Sequence, residues 1–117
     1  IVEMHHKHKV DAPSGTAVRL TEVVAHARGL NVVSATVAGR TGQVGARRHD
    51  EIGVHALRGG DVVGDHTLVL AGPGERLELT HRAHNREIFA RGALKAAHWV
   101  VGRAPGLYTM AQVLGIH

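Results

Sequence analysis

The sequence predicts an α+β domain in which a mixed or antiparallel sheet of about four strands has helices on one face. Amphipathic helical patterns lie toward both ends of the chain, and alternating strand patterns joined by glycine-containing turns lie between them. No repeat, low-complexity tract or linker divides the 117 residues. We therefore expect a single domain over residues 1–117.

The first half of the chain predicts a helix, a strand and a loop. Ser14 is placed to cap a helix over residues 14–28, whose apolar positions recur at helical spacing, and Gly29 is placed to end it. Residues 31–38 are rich in Val and Thr, which favours a strand. Residues 39–50 carry three glycines and three arginines without periodicity, so we expect a mobile loop there.

Three further strands are predicted in the middle of the chain, over residues 52–57, 62–70 and 76–82. Two short turns, Gly59-Gly60-Asp61 and Gly72-Pro73-Gly74, would join them into an antiparallel meander. Their apolar side chains cannot all face the helices. We therefore expect a sheet-to-sheet oligomer interface on the other face.

The last part of the chain predicts a second helix and a short tail. Asn85 is placed to cap this helix, which carries an apolar face and is broken by the segment from Gly102 to Gly106. Residues 107–117 favour one short turn of helix.

Composition narrows the possible partners. The chain has no cysteine, which fits a reducing cytosol, and no segment approaches the ~20 apolar residues that span a bilayer. The net charge of +4 and the 11 histidines favour an anionic partner. Because the basic residues are dispersed and the three aromatic residues do not interleave with them, a small anion is favoured over nucleic acid.

Residues 5–9 carry three histidines and two lysines directly before the predicted helix start. Backbone amides of Gly15 and Thr16 in the first helical turn favour an anion, aided by the helix dipole. His6 and Lys9 could add charge-assisted hydrogen bonds to a carboxylate or phosphate. Because these residues lie so near the first residue of the chain, we also expect a further region upstream.

Three other interpretations of this cluster remain open. The Ser-Gly-Thr sequence could be a simple helix cap, and clustered histidines are often only solvated. A zinc site is disfavoured, because His5 and His6 would point to opposite sides of an extended segment and no carboxylate at helical spacing completes a ligand set. We therefore expect no metal.

Residues 3–17 resemble the signature of the dihydrodipicolinate reductases. Glu3, His5-His6, Lys9 and the run from Asp11 to Ala17 match every fixed position of that signature. The resemblance continues through residues 58–67, 74–76, 80–81, 86–93 and 106–108, and so covers essentially the whole chain. It corresponds to the substrate-binding and catalytic half of the family.

The resemblance implies a role for each matching residue. His5 would be the general acid/base and Lys9 the proton donor to the reduced ring. His6 would bind the substrate carboxylate, and Gly15 and Thr16 would form the anion pocket. The implied reaction is the reduction of 4-hydroxy-tetrahydrodipicolinate with NADH or NADPH in lysine biosynthesis, in the cytoplasm, by a homotetramer assembled through the sheet.

The chain departs from the family in its dinucleotide-binding domain. It has no Gly-x-Gly-x-x-Gly after a strand, and the glycines at 39, 42 and 45 have a different spacing in a loop. The resemblance implies that the absent Rossmann domain holds most of the cofactor, that residues 85–117 pack toward it, and that Arg86 contacts the cofactor. A solvated Arg86 is an equal alternative. A competing function is an inactive oligomerisation module.

Overall fold

The structure is a computed structural model that describes residues 1–116. The chain divides into two compact units, one formed by residues 1–84 and one that begins at Asn85. The first unit contains the sheet and the histidine cluster. The second consists of two helices.

The first unit is a five-stranded mixed sheet with two helices, which confirms the α+β class. Its elements in chain order are β1 (Val2–His5), α1 (Gly15–Ala27), α2 (Val32–Ala35), β2 (Thr36–Ala38), β3 (Ile52–Arg58), β4 (Gly64–Gly72) and β5 (Glu75–Ala83). The strand order is β2-β3-β1-β4-β5. Strands β2, β3 and β1 are parallel to one another, and β4 and β5 continue the sheet in antiparallel pairs.

The central strand, β1, was not predicted from the sequence, and the predicted meander is wrong for that reason. Strand β1 lies between β3 and β4, so these two strands are not neighbours. Only the hairpin formed by β4 and β5 is confirmed. The missing strand also explains why the sheet has five strands where about four were predicted.

The prediction for residues 31–38 is correct only in its last third. The Asn31 side chain accepts hydrogen bonds from the backbone N–H groups of Val33 and Ser34 at 3.0 and 3.1 Å. This cap starts a short helix, and the strand is confined to residues 36–38. Residues 39–50 contain no helix or strand, as expected for a loop.

The buried core lies between α1 and one face of the sheet. Small residues on α1 let the helix approach the sheet closely, and the core consists of Ile1, Ala17, Ala25, Ala35, Ile52 and Val54. The predicted α1 is confirmed, with Ser14 as its cap: the Ser14 side chain accepts from the Ala17 N–H at 3.3 Å. This packing places the start of α1 beside β1.

The second unit contains α3 (Glu87–Val100) and α4 (Met110–Leu114). The second predicted helix is confirmed, although it begins at Glu87, whose N–H donates to the Asn85 side chain at 3.0 Å. Helix α4 confirms the predicted short tail helix, and His117 lies outside the described residues. Among the helices of residues 1–116, none is long and apolar enough to cross a membrane.

Candidate active site

Strand β1 places Glu3 and His5 on the same face of the sheet, because alternate residues of a strand share a face. This face is turned toward α1, since the Glu3 side chain accepts a hydrogen bond from the backbone N–H of Ser14 at 3.1 Å. Glu3 is fully buried and the His5 side chain is 12% exposed. The pair therefore lies at the bottom of the region between β1 and the start of α1.

The Glu3 carboxylate is surrounded by hydrogen-bond donors. Arg58 donates from Nη1 to Oε2 at 2.8 Å and from Nη2 to Oε1 at 3.0 Å, which is a bidentate ion pair. Burial by itself would raise the pKa of Glu3, but the hydrogen bonds from Arg58, His5 and Ser14 outweigh burial and hold the pKa below its ordinary value. Glu3 is thus a buried anion at neutral pH.

The His5 ring has one nitrogen engaged and the other turned toward β4. Nδ1 lies 2.7 Å from Oε2 of Glu3. A Cβ atom at Gly64 would lie only 3.1 Å from Nε2, so the glycine leaves room for this nitrogen. The arrangement leaves Nε2 as the atom of His5 that can exchange a proton with a bound molecule.

His66 is a second imidazole at the same place. Its ring meets the His5 ring edge-on with centroids 5.1 Å apart, and its Nε2 shares a 2.9 Å hydrogen bond with the Ser14 hydroxyl. Burial, and to a lesser degree the His5 ring, holds the pKa of His66 below its ordinary value. His66 therefore favours the neutral form and links the α1 cap to the His5 ring.

His6 and Lys9 lie on the turn that follows β1. The backbone N–H of Lys9 donates to the carbonyl of His6 at 3.1 Å, which closes the turn. The Lys9 ammonium donates to Asp11 at 2.6 Å, and this hydrogen bond holds the pKa of Asp11 below its ordinary value. The turn thus holds His6 and Lys9 directly after β1, with Lys9 paired to Asp11.

Gly15 and Thr16 form the first turn of α1 and are exposed. The backbone N–H groups of a first helical turn lack helical partners, and a Cβ at Gly15 would meet nothing within 4 Å. The start of α1 is therefore open to an incoming anion. Arg86 lies at the start of α3 in the second unit, so its cofactor contact stays a prediction.

Glu3, Arg58 and His66 belong to this site but were not predicted as site residues. One signal was available, since a Glu and a His two positions apart on a strand share a face. The others depend on sheet order: Arg58 on β3 is the register partner of His5, and His66 on β4 is the register partner of Glu3. No local pattern gives these pairings.

The first unit also contains a cleft that lies outside this site. A cleft of about 1070 Å³, lined among others by Val24, Arg28 and Leu68, includes none of the predicted site residues. Across residues 1–116, no group of three or more His, Cys, Asp or Glu side chains is placed to hold a metal ion.

Comparison with known proteins matches nearly the whole chain. A family model for the C-terminus of dihydrodipicolinate reductase matches residues 1–114. The chain is 62% identical over 116 residues to the 4-hydroxy-tetrahydrodipicolinate reductase of Rhodopseudomonas palustris (strain BisA53), and 59% identical over 116 residues to that of Akkermansia muciniphila. These matches cover 99% of this chain but 42% and 47% of the relatives. The chain thus spans less than half of their length.

A solved structure gives independent support for the fold. The dipicolinate-bound dihydrodipicolinate reductase from Paenisporosarcina sp. TG-14 is similar with a TM-score of 0.66 at 24% identity, over 95% of this chain and 42% of that one. Since the family match includes residues 1–114 of the 117, this chain belongs to the dihydrodipicolinate reductase family.

Proposed function

We propose that this chain supplies substrate binding and proton donation in the conversion of 4-hydroxy-tetrahydrodipicolinate to tetrahydrodipicolinate, in which the 4-hydroxyl leaves as water and the ring gains a hydride and a proton. The observation that carries this proposal is the His5 ring, anchored through Nδ1 on buried Glu3, which also accepts from Ser14 at the open start of α1. The turn that carries His6 and Lys9 follows β1 directly. A dicarboxylate needs cationic and N–H donors, and reduction of an imine needs a nearby proton donor. Both requirements meet here.

Each residue has a distinct task in this proposal. His6 and the backbone N–H groups of Gly15 and Thr16 bind a substrate carboxylate. Lys9 exchanges its Asp11 partner for the substrate and then donates a proton to the reduced ring, while His5 acts as general acid/base. The contacts of buried Glu3 with Arg58 and with His5 Nδ1 keep the ring of His5 fixed while the substrate binds.

The cofactor of this reaction is proposed to be NADH or NADPH, which supplies the hydride. The residues of this chain do not fit a dinucleotide site, because β1 leads into α1 through residues 6–14 without a Gly-x-Gly-x-x-Gly turn. We therefore assign most of the cofactor contacts to a part of the protein outside this chain. In this proposal the unit that begins at Asn85 packs toward that part, with Arg86 as a minor contact.

The proposal includes assembly as a homotetramer and location in the cytoplasm, each supported by one observation. Val2 and Leu57 are exposed on the sheet face that points away from α1, which favours burial of that face in a homotetramer. The absence of cysteine fits the cytoplasm. The alternative is an oligomerisation module without activity, which would bind no dicarboxylate at the His5 site.

The test joins this chain to the amino-terminal part of the Rhodopseudomonas palustris relative and measures steady-state kinetics. His5→Gln should lower kcat by a factor on the order of 10² to 10⁴, with a smaller change in KM. His6→Gln should mainly raise KM, because a carboxylate contact acts in both ground and transition states. Lys9→Ala should impair both.

The control is His84→Gln in the same fusion, which removes one imidazole from an exposed position. Near-normal turnover of the His5→Gln fusion would remove His5 from the chemistry. An inactive wild-type fusion that also fails to bind pyridine-2,6-dicarboxylate in calorimetry would favour the oligomerisation module.

A further inference from the structure

We propose that Glu3 and Arg58 are positioning residues that hold His5 in a single tautomer, with the hydrogen on Nδ1, so that Nε2 is the atom that exchanges protons. The catalytic consequence of this tautomer rests on the proposed function, because it presumes that His5 takes part in the reaction. The tautomer itself follows from the contacts of Glu3 and is independent of the proposed function.

The surroundings of Glu3 determine its charge. Its two carboxylate oxygens accept from both Nη atoms of Arg58 and from the backbone N–H of Ser14, at 2.8 to 3.1 Å. Three of the four contacts of these oxygens therefore come from groups that can only donate, and two of the three come from a guanidinium cation in a bidentate pair. These contacts hold Glu3 as a carboxylate, in agreement with its lowered pKa.

The charge of Glu3 in turn determines which nitrogen of His5 carries the hydrogen. An ionised carboxylate only accepts, so the 2.7 Å contact between Oε2 and Nδ1 requires that Nδ1 carries the hydrogen. In neutral His5 the lone pair then lies on Nε2, beside Gly64, and in protonated His5 the transferable hydrogen lies there as well. One carboxylate thus decides which nitrogen performs acid/base chemistry.

The geometry around Glu3 suits an arginine better than a lysine. The planar guanidinium contacts both oxygens of Glu3 and donates also to the backbone carbonyl of Asp11 at 2.7 Å. Arg58 therefore ties the anchor of His5 to the segment that carries Asp11, the partner of Lys9. A lysine at position 58 would supply one charge without this fork.

A buried ion pair with a purely structural role would stabilise the sheet but would not determine the tautomer of His5. NMR of this chain with ¹⁵N-labelled histidine separates the two roles. The signals of the two ring nitrogens of His5 are measured at alkaline pH, where the neutral ring is observed. Wild-type His5 should show hydrogen on Nδ1 and a bare Nε2. The matched controls are Glu22→Gln and Arg19→Lys on the exposed side of α1, which should leave these signals unchanged.

Each variant has a defined outcome. In Glu3→Gln one amide oxygen and one NH₂ group replace two acceptors, so the single tautomer should be lost. In Arg58→Met the buried Glu3 should take up a proton and donate it to Nδ1, which moves the His5 hydrogen to Nε2. Arg58→Lys keeps a cation beside Glu3, so His5 should again carry its hydrogen on Nδ1. This variant also keeps the inference testable if Arg58→Met does not fold.

The catalytic arm uses the fusion described above. Glu3→Gln should lower kcat at least tenfold, and the double variant Glu3→Gln/His5→Gln should be no slower than His5→Gln alone, because both changes remove one function. Wild-type His5 with hydrogen on Nε2, or an unchanged tautomer in Glu3→Gln, would overturn the inference. Normal turnover of His5→Gln together with the expected tautomers would instead reject the proposed function and leave the tautomer assignment standing.

Discussion

His5 and Arg58 are register partners on neighbouring parallel strands, and both side chains contact the carboxylate of Glu3. The proposed acid/base residue is therefore anchored in the centre of the sheet, on a buried ion pair that also joins β1 to β3. Stability and chemistry depend on the same contacts. This coupling yields predictions for residues that touch no substrate.

Loss of the Arg58 charge should destabilise the fold strongly. Arg58→Met leaves the fully buried Glu3 without its cation, so it should lower the free energy of unfolding clearly more than the loss of an exposed ion pair does. Urea denaturation measures the change. Arg19→Met is the matched control: it removes a pair whose side chains are 75% and 45% exposed and should cost at most about 0.5 kcal/mol. Equal losses in the two variants would show that the Glu3 pair contributes no more than a surface contact.

A side chain at position 64 should disturb His5. The Cβ of Gly64→Ala would lie 3.1 Å from Nε2, so the ring must move by a few tenths of an ångström. In the fusion, kcat should fall roughly 3- to 10-fold, since small misplacements of a reacting group are costly. Gly72→Ala at the far end of the same strand is the control, because its Cβ would meet only the Glu75 side chain at an ordinary 3.8 Å. Unchanged turnover in Gly64→Ala would mean that Nε2 does not act from this position.

Local patterns predicted the elements whose stabilising contacts are local. Helix α1 was identified by the Ser14 cap and its apolar spacing, and the β4–β5 hairpin by its glycine-containing turn. Strand β1 escaped prediction because its inward-facing positions carry Glu3 and His5, which do not form an apolar alternation. The partners that make these polar residues acceptable in the core come from β3 and from the α1 cap.

In the site, too, local patterns identified only the residues that are close together in sequence. The cluster from His5 to Lys9 and the start of α1 are contiguous in sequence and could be identified there. Arg58 lies 55 residues from Glu3, and His66 lies 52 residues from Ser14, so their contacts depend on the order of the strands. Sheet order arises from non-local pairing, which a single sequence does not display.

Removal of the Ser14 hydroxyl should cost stability through the helix cap. Ser14→Ala leaves the Ala17 N–H without its acceptor and His66 without its partner, and should lower the free energy of unfolding by about 1 to 2 kcal/mol. Urea denaturation checks this value. Ser34→Ala, at an exposed serine with only long contacts of 3.4 Å, should change it by less than about 0.5 kcal/mol. Should Ser14→Ala be as stable as the wild type, the cap would contribute nothing and another group would satisfy that N–H.

His66 should make the fold less stable in weak acid. Its pKa is lowered in the folded protein from an ordinary value of 6.5, mainly because of burial, so the unfolded chain binds a proton first as the pH falls. The stability linked to this residue is therefore complete above about pH 6.5 and is lost as the pH falls below that value toward the folded pKa.

The variant His66→Gln tests this pH dependence, because it keeps a hydrogen-bonding group near Ser14 but does not titrate. Between pH 7.5 and 5.5, its free energy of unfolding should fall less than that of the wild type, as measured by urea denaturation at each pH. His84→Gln reports the effect of losing one exposed imidazole. A wild-type slope in His66→Gln, or a steeper one, would contradict a neutral, partly buried His66 and would place the acid sensitivity of the fold elsewhere.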